Sequence, residues 1–130
     1  MNREGGYMPK WPFAMGWTGC MIGAHANTVL ADWMVKEAIR KQLHNASEVM
    51  EYMLRNANTR TPHDSRPVVE YYPNEGYIHW EDSKRSGCSE TLELSFNDFG
   101  ISEVARLLNK SDIQTDFHNR SKFYKNVWNN

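Results

Sequence analysis

Apolar residues return at three- and four-residue steps in four stretches of this chain, and between those stretches the pattern lapses. Val29, Leu30, Trp33, Met34 and Ala38 form the first stripe, which predicts a helix over 28–42 opened by Asn27 or Thr28 as its N-cap. Val49, Met50, Met53 and Leu54 form the second and predict a helix over 46–57, where Asn45-Ala46-Ser47-Glu48 has the form of a capping box. The third stripe, Leu92, Phe96, Phe99, Ile101, Val104, Leu107 and Leu108, predicts a helix over 89–109. Gly100 in its interior costs about 1 kcal/mol relative to alanine, which a close helix neighbour would explain. Ile113, Phe117, Tyr124, Val127 and Trp128 predict a fourth helix over 112–128, capped by Ser111. The connections His44-Asn45 and Lys110-Ser111 are short, so each pair of helices reads as an antiparallel αα-hairpin and the chain as all-α.

Two segments fall outside the helical pattern. Residues 1–27 form a loop rich in glycine, proline and aromatics (Trp11, Phe13, Trp17), which reads as a shaped surface held rigid by the helix that follows. Between the hairpins, Pro62, Pro67, Pro73, Gly76 and Gly87 interrupt any long helix. Within this segment Val68–Tyr72 suits a short helix or strand. His63-Asp64 and His79-Trp80-Glu81-Asp82 are polar clusters that lack the second spaced pair a metal site needs, so they read as surface loop chemistry.

Charge and composition narrow the function classes. Fifteen basic residues against sixteen acidic ones give a net charge of −1, without a basic run that could neutralise a row of phosphates, so nucleic acid is not an expected partner. No stretch approaches the roughly 20 apolar residues that cross a bilayer, and no membrane is expected. The start MNREGGYMPKWPF lacks the apolar core of a signal peptide, which suits either a cytoplasmic chain or one whose gene product begins further upstream. Cys20 and Cys88 are expected to be free buried thiols, and the sequons at Asn45, Asn109 and Asn119 carry little weight at this asparagine content. Five Trp, six Tyr and five Phe suit a protein core and, equally, the faces of sugar rings.

Motifs for nucleophilic, phosphate-binding or metalloprotease chemistry are absent. Carboxylates in an aromatic setting point toward carbohydrates, whose hydrolysis needs two carboxyl groups flanking the scissile bond. Glu90 and Glu93 can share a helix face, whereas Glu93 and Asp98 cannot, and an ordinary charged surface explains all three. Asp32 and Lys36, four apart on the first helix, likewise fit a solvated ion pair.

Longer motifs are more specific. Pro9-Lys10-Trp11-Pro12, Thr18-Gly19-Cys20-Met21-Ile22-Gly23, Ala31-Asp32, Lys36, Ser89-x-Thr91-Leu92-Glu93 and Tyr124-Lys125-Asn126 together resemble the catalytic region of glycoside hydrolase family 92, the calcium-dependent exo-acting α-mannosidases, from Gly6 to about Trp128. The resemblance implies that residues 1–130 are a partial catalytic domain, two αα-hairpins from an (α/α)6 toroid, with the first loop pointing into the pocket. It implies hydrolysis of a terminal α-linked mannose, of α-1,2 type, with inversion and with calcium gripping the sugar. Trp11 would stack on the ring, and Thr18, His25, Asp32 and Glu93 would hydrogen-bond its hydroxyls or support residues that do. The family's acid lies in a Glu-Gly-Asn type stretch and its base in a Gly-Asn-Asp type stretch, and neither occurs here, since Glu4-Gly5-Gly6 and Glu75-Gly76-Tyr77 do not match. The chain is therefore expected to lack catalytic residues and calcium ligands and to be inactive alone, with a mannose-containing glycan and the remainder of a larger hydrolase as its partners.

Two departures stand out. Trp17 occupies a position where relatives often carry a polar or phenolic residue, and Asn97-Asp98 stands where they usually carry two acids. Family members are often secreted or periplasmic, so the compartment stays open. The rival readings are a helical protein-interaction module without catalytic activity and an unrelated enzyme of the same toroid architecture.

Overall fold

Gly100 lies where two helices touch. A Cβ there would stand 3.2 Å from Ala31 Cβ and 3.5 Å from Thr28 Cα, so the glycine expected to need a close neighbour has one. The computed structural model describes residues 12, 13, 16, 17, 22–60, 66, 68–83 and 87–128, the first four by backbone alone. In chain order these form β1 (Pro12–Phe13), β2 (Gly16–Trp17), α1 (Ala26–Ile39), α2 (Ala46–Asn58), α3 (Tyr72–Glu75), α4 (Trp80–Ser83), α5 (Gly87–Leu107) and α6 (Ser111–Arg120), then a 3-10 helix over Phe123–Val127. The two-residue strands pair antiparallel, Pro12 opposite Trp17 and Phe13 opposite Gly16. All else that is regular among the described residues is helical.

The helix α5 is the axis of the arrangement. It packs against α1 on one side and α6 on another, and it also touches α2, α4 and the terminal 3-10 helix. The main core joins Ala31 and Met34 of α1, Val49, Met50, Met53 and Ala57 of α2, Ile101, Val104 and Ala105 of α5, and Phe117 of α6. A smaller cluster joins Tyr72, Ile78 and Leu94. Between α1 and α2 direct contact is slight, so the first hairpin is held mainly through α5 rather than by its own two helices.

Several expectations change. Leu92, Phe96 and Phe99 were expected in the buried stripe of the third helix, yet they are 38%, 54% and 48% exposed. That helix has two apolar stripes, and the one through Leu94, Ile101, Val104 and Ala105 takes the core. Val29 and Trp33 of α1 are exposed for the same reason, since Ala31 and Met34 face inward. The expected side-chain caps do not form. The N-caps of α1, α2 and α6 are His25, Asn45 and Lys110, each without a side-chain capping bond. Glu48, instead of reaching back to Asn45, accepts from the Tyr52 hydroxyl at 3.2 Å.

The predicted 112–128 helix breaks after Arg120, where Lys122 N–H bonds the Asn119 carbonyl and Lys125 N–H the Lys122 carbonyl, the tighter 3-10 spacing. Cys88, expected buried, is exposed. Asn109, with φ of 55°, takes the left-handed position after α5, and Lys110 N–H closes the turn onto the Ala105 carbonyl.

Cross-links then fix the rest. The Arg120 guanidinium lies 4.4 Å over the Phe117 ring, takes Asp116 on two nitrogens and donates to Asn58 Oδ1 at 3.0 Å, tying α6 to the end of α2. Ile78 N–H donates to Thr91 Oγ1 at 2.9 Å, and Asn126 Nδ2 to the Gly76 carbonyl at 3.0 Å. The segment between the hairpins is thus pinned to α5 and to the terminal 3-10 helix.

Candidate functional site

The junction between the first loop and α1 is built by a glycine and an asparagine. Gly23 has φ of 80°, a left-handed value, and a Cβ on it would fall 2.7 Å from His25 Nε2 and 3.2 Å from Glu93 Cβ. Only a residue without a side chain lets the loop pass there with His25 against α5. Asn97, fully buried on α5, accepts the Ala24 N–H on Oδ1 at 2.5 Å. Its Nδ2 lies 3.2 Å from His25 Nδ1 and 3.2 Å from Thr28 Oγ1. One amide side chain therefore ties the last residues of the loop to the first turn of α1.

Glu93 lies one helical turn before Asn97, on the same face of α5. Its Oε2 is 3.4 Å from His25 Nε2, and the two side chains are 38% and 46% exposed, so both reach solvent while facing each other. A half-exposed imidazole and carboxylate in this arrangement offer polar atoms to a hydroxyl-bearing ligand. Glycoside cleavage is another matter, because it takes two carboxyl groups on opposite sides of the bond. Glu90, the other acid on that stretch, is buried.

The remaining expected site residues fall elsewhere. Asp32 pairs with Lys36 at 2.5 Å on the exposed side of α1, and no contact joins it to the His25–Glu93 pair among the described residues. Trp11 and Thr18 lie outside the described residues, as do Cys20 and the His63-Asp64 cluster, and of Trp17 only the backbone, in β2, is described.

On the far side of α5, Asp98 and Arg66 form an ion pair shut off from solvent. Burial pushes the Asp98 carboxyl up from its ordinary range, and the Arg66 guanidinium opposes that shift. The polar cluster between the hairpins is a surface network. Tyr71 donates its hydroxyl to Asp82 Oδ2 at 2.9 Å and accepts the His79 N–H at 3.2 Å, while His79 Nε2 meets Glu75 Oε2 at 2.6 Å. Burial and the bond to Asp82 raise Tyr71 to about 12.

Among the described residues no three His, Cys, Asp or Glu side chains come together as a metal site would require. Calcium prefers six to eight oxygen ligands, and Glu93 faces an imidazole nitrogen instead. The described residues do not fit that ion. The stripe left exposed on α5 has a different character. Leu92, Phe96, Phe99 and Tyr124, with Ser95, Ser121 and Lys122, line an open groove of about 430 Å³.

Asn97, which ties this junction together, was not among the expected site residues and stood out in the sequence only as part of the Asn97-Asp98 departure from the usual two acids. In the fold it is buried along with Ser95 and Asp98.

The family model for the glycosyl hydrolase family 92 catalytic domain matches residues 1–130. A family GH92 α-mannosidase from Bacteroides thetaiotaomicron, solved in complex with mannoimidazole, is 31% identical, with a TM-score of 0.79 over 95% of this chain and 15% of its own. A family GH92 inverting mannosidase from Bacteroides thetaiotaomicron VPI-5482 is 28% identical, with a TM-score of 0.83 over 95% of this chain and 17% of its own. Among curated proteins none matches. The chain thus spans about a sixth of the length of the solved structures it resembles.

Proposed function

Because the chain belongs to glycosyl hydrolase family 92, we propose that it supplies one wall of the sugar pocket of an α-mannosidase. The observation that carries this reading is the contact between His25 and Glu93, half-exposed and braced from behind by Asn97. In this reading the pair grips hydroxyls of a terminal α-linked mannose, of α-1,2 type. Trp11 stacks on the ring, Thr18 adds a hydroxyl, and Asp32 contributes only by giving up Lys36. Catalysis itself belongs to a carboxylic acid and a carboxylate on the opposite side of the pocket, and inversion follows from a water activated between that carboxylate and the sugar. Calcium is bound by residues other than those described.

The exposed stripe of Phe96 and Phe99 fits the same reading, since a helix face of that kind in a toroid packs against the next helix pair. Its partner is the remainder of a larger hydrolase chain.

Incubation with an α-1,2-mannobioside in the presence of calcium tests the division of labour. The 130-residue chain should release no mannose, while mannose should slow amide hydrogen exchange in residues 22–28. Calcium-dependent release of mannose by this chain would overturn the reading, and so would unchanged exchange at saturating sugar.

A further inference from the structure

The Asn97 amide can be oriented from its contacts alone. A backbone N–H only donates, so the atom 2.5 Å from Ala24 N must be the carbonyl oxygen Oδ1, and the amide nitrogen must face His25 and Thr28. An amide nitrogen carries two hydrogens and accepts nothing. Thr28 Oγ1 takes one of them, and the other meets His25 Nδ1, which can accept it only with a free lone pair. The proton of the neutral ring therefore sits on Nε2, the nitrogen that faces Glu93.

We propose that Asn97 is a positioning residue that fixes His25 as its Nε2–H tautomer, making His25 and Glu93 a matched donor and acceptor for a single sugar hydroxyl. The inference rests on the sugar-wall reading for its ligand but not for its tautomer. A hydroxyl both donates and accepts, and the pair presents one of each: Nε2–H gives a proton to the hydroxyl oxygen, and the Glu93 carboxylate takes the hydroxyl hydrogen. At 3.4 Å the two partners face each other at more than the usual hydrogen-bond length, so a ligand hydroxyl competes with a weak contact rather than a strong one. Burial is what makes the assignment firm. Asn97 is closed to water, so its amide cannot exchange these partners for solvent, and turning it over would set Nδ2 against the Ala24 N–H, two donors facing each other. With the other tautomer the histidine would show a bare nitrogen to a carboxylate, and the pair would offer two acceptors and no donor.

The test is nitrogen-15 NMR of the His25 ring in the full 130-residue chain at a pH where the ring is neutral. The expected spectrum has Nε2 protonated and Nδ1 unprotonated. Asn97→Asp keeps an acceptor for the Ala24 N–H but replaces the donor at His25 Nδ1 with a second acceptor, and it should move a proton onto Nδ1. It should also weaken mannoimidazole binding about tenfold, with the circular dichroism spectrum unchanged. A wild-type ring with its proton on Nδ1 overturns the inference, and so does a ring that keeps the same tautomer after Asn97→Asp. The wild-type spectrum needs no variant, so a variant that fails to fold does not rescue the idea. If the tautomer is as stated and mannoimidazole leaves the His25 resonances unmoved, the sugar-wall reading fails and the tautomer assignment stands.

Discussion

Asp98 and Arg66 form an ion pair that solvent does not reach, and it holds the segment between the hairpins against the back of α5. Asn97, the residue before Asp98, faces the opposite structure, the end of the first loop. Consecutive positions on one helix point about 100° apart, so a single Asn-Asp step fastens two separate pieces of chain. Removing one partner of such a pair leaves an unpaired buried charge, at a cost of about 3–5 kcal/mol. Asp98→Asn should therefore lower stability by that order in chemical denaturation. Replacing both partners with apolar residues, Arg66→Met and Asp98→Leu, should recover much of it. A single Asp98→Asn change that leaves the denaturation midpoint in place would remove the pair from the account.

The groove on α5 predicts a measurable exposure. Phe96 and Phe99 are about half exposed beside Leu92 and Tyr124, and an uncovered apolar face of this kind binds hydrophobic dyes and promotes self-association. The chain should raise the fluorescence of an anilinonaphthalene dye, and Phe96→Ser with Phe99→Ser should abolish most of that signal while the helical content holds. A sharp, monomeric unfolding transition without dye binding would argue against a face made for further helices. A discrete protein partner that competes with the dye, alongside no response to mannose, would favour the interaction-module reading.

His79 gives a prediction in pH. Its hydrogen bond to Glu75 raises its pKa above the ordinary 6.5, with desolvation opposing the shift. The folded value lies above the unfolded one, so the contribution of this contact to stability is fully present below pH 6.5 and is lost as pH rises through the folded pKa. Proton NMR should place the His79 midpoint above 6.5, and Glu75→Gln should bring it down. A midpoint unmoved by Glu75→Gln would assign the shift to some other group.

How far the sequence carried the fold depended on the kind of information each element needed. The stripe of α2 was legible because Val49, Met50 and Met53 have one face and one partner layer. The need of Gly100 for a close neighbour was legible because a glycine inside a helix weakens it, a loss that close packing of a second helix offsets. On α5, however, two apolar stripes compete, and periodicity cannot say which one a neighbour covers. The expected cap of α1 failed because the helix opens earlier, at Ala26 with His25 as its N-cap, which puts Asn27 and Thr28 inside the first turn, where Thr28 Oγ1 takes a hydrogen from Asn97.

The candidate site divides similarly. Motif resemblance named His25 and Glu93, and the fold brings them to 3.4 Å. It marked Asn97 only as a departure and not as the brace of the junction, because its bonds to Ala24 and His25 span 73 and 72 residues of sequence and exist only once α1 and α5 have packed.

If the loop–helix junction holds a sugar through His25 and Glu93, both side chains should report the ligand. The decisive experiment is titration of the chain with mannoimidazole while following the His25 ring and Glu93 carboxylate resonances. Saturable shifts at both residues are expected, with the apparent affinity reduced at least tenfold by Glu93→Gln and by His25→Ala. Resonances that stay in place at saturating ligand, or shifts confined to the groove at Phe96 and Phe99, would contradict the sugar-wall reading.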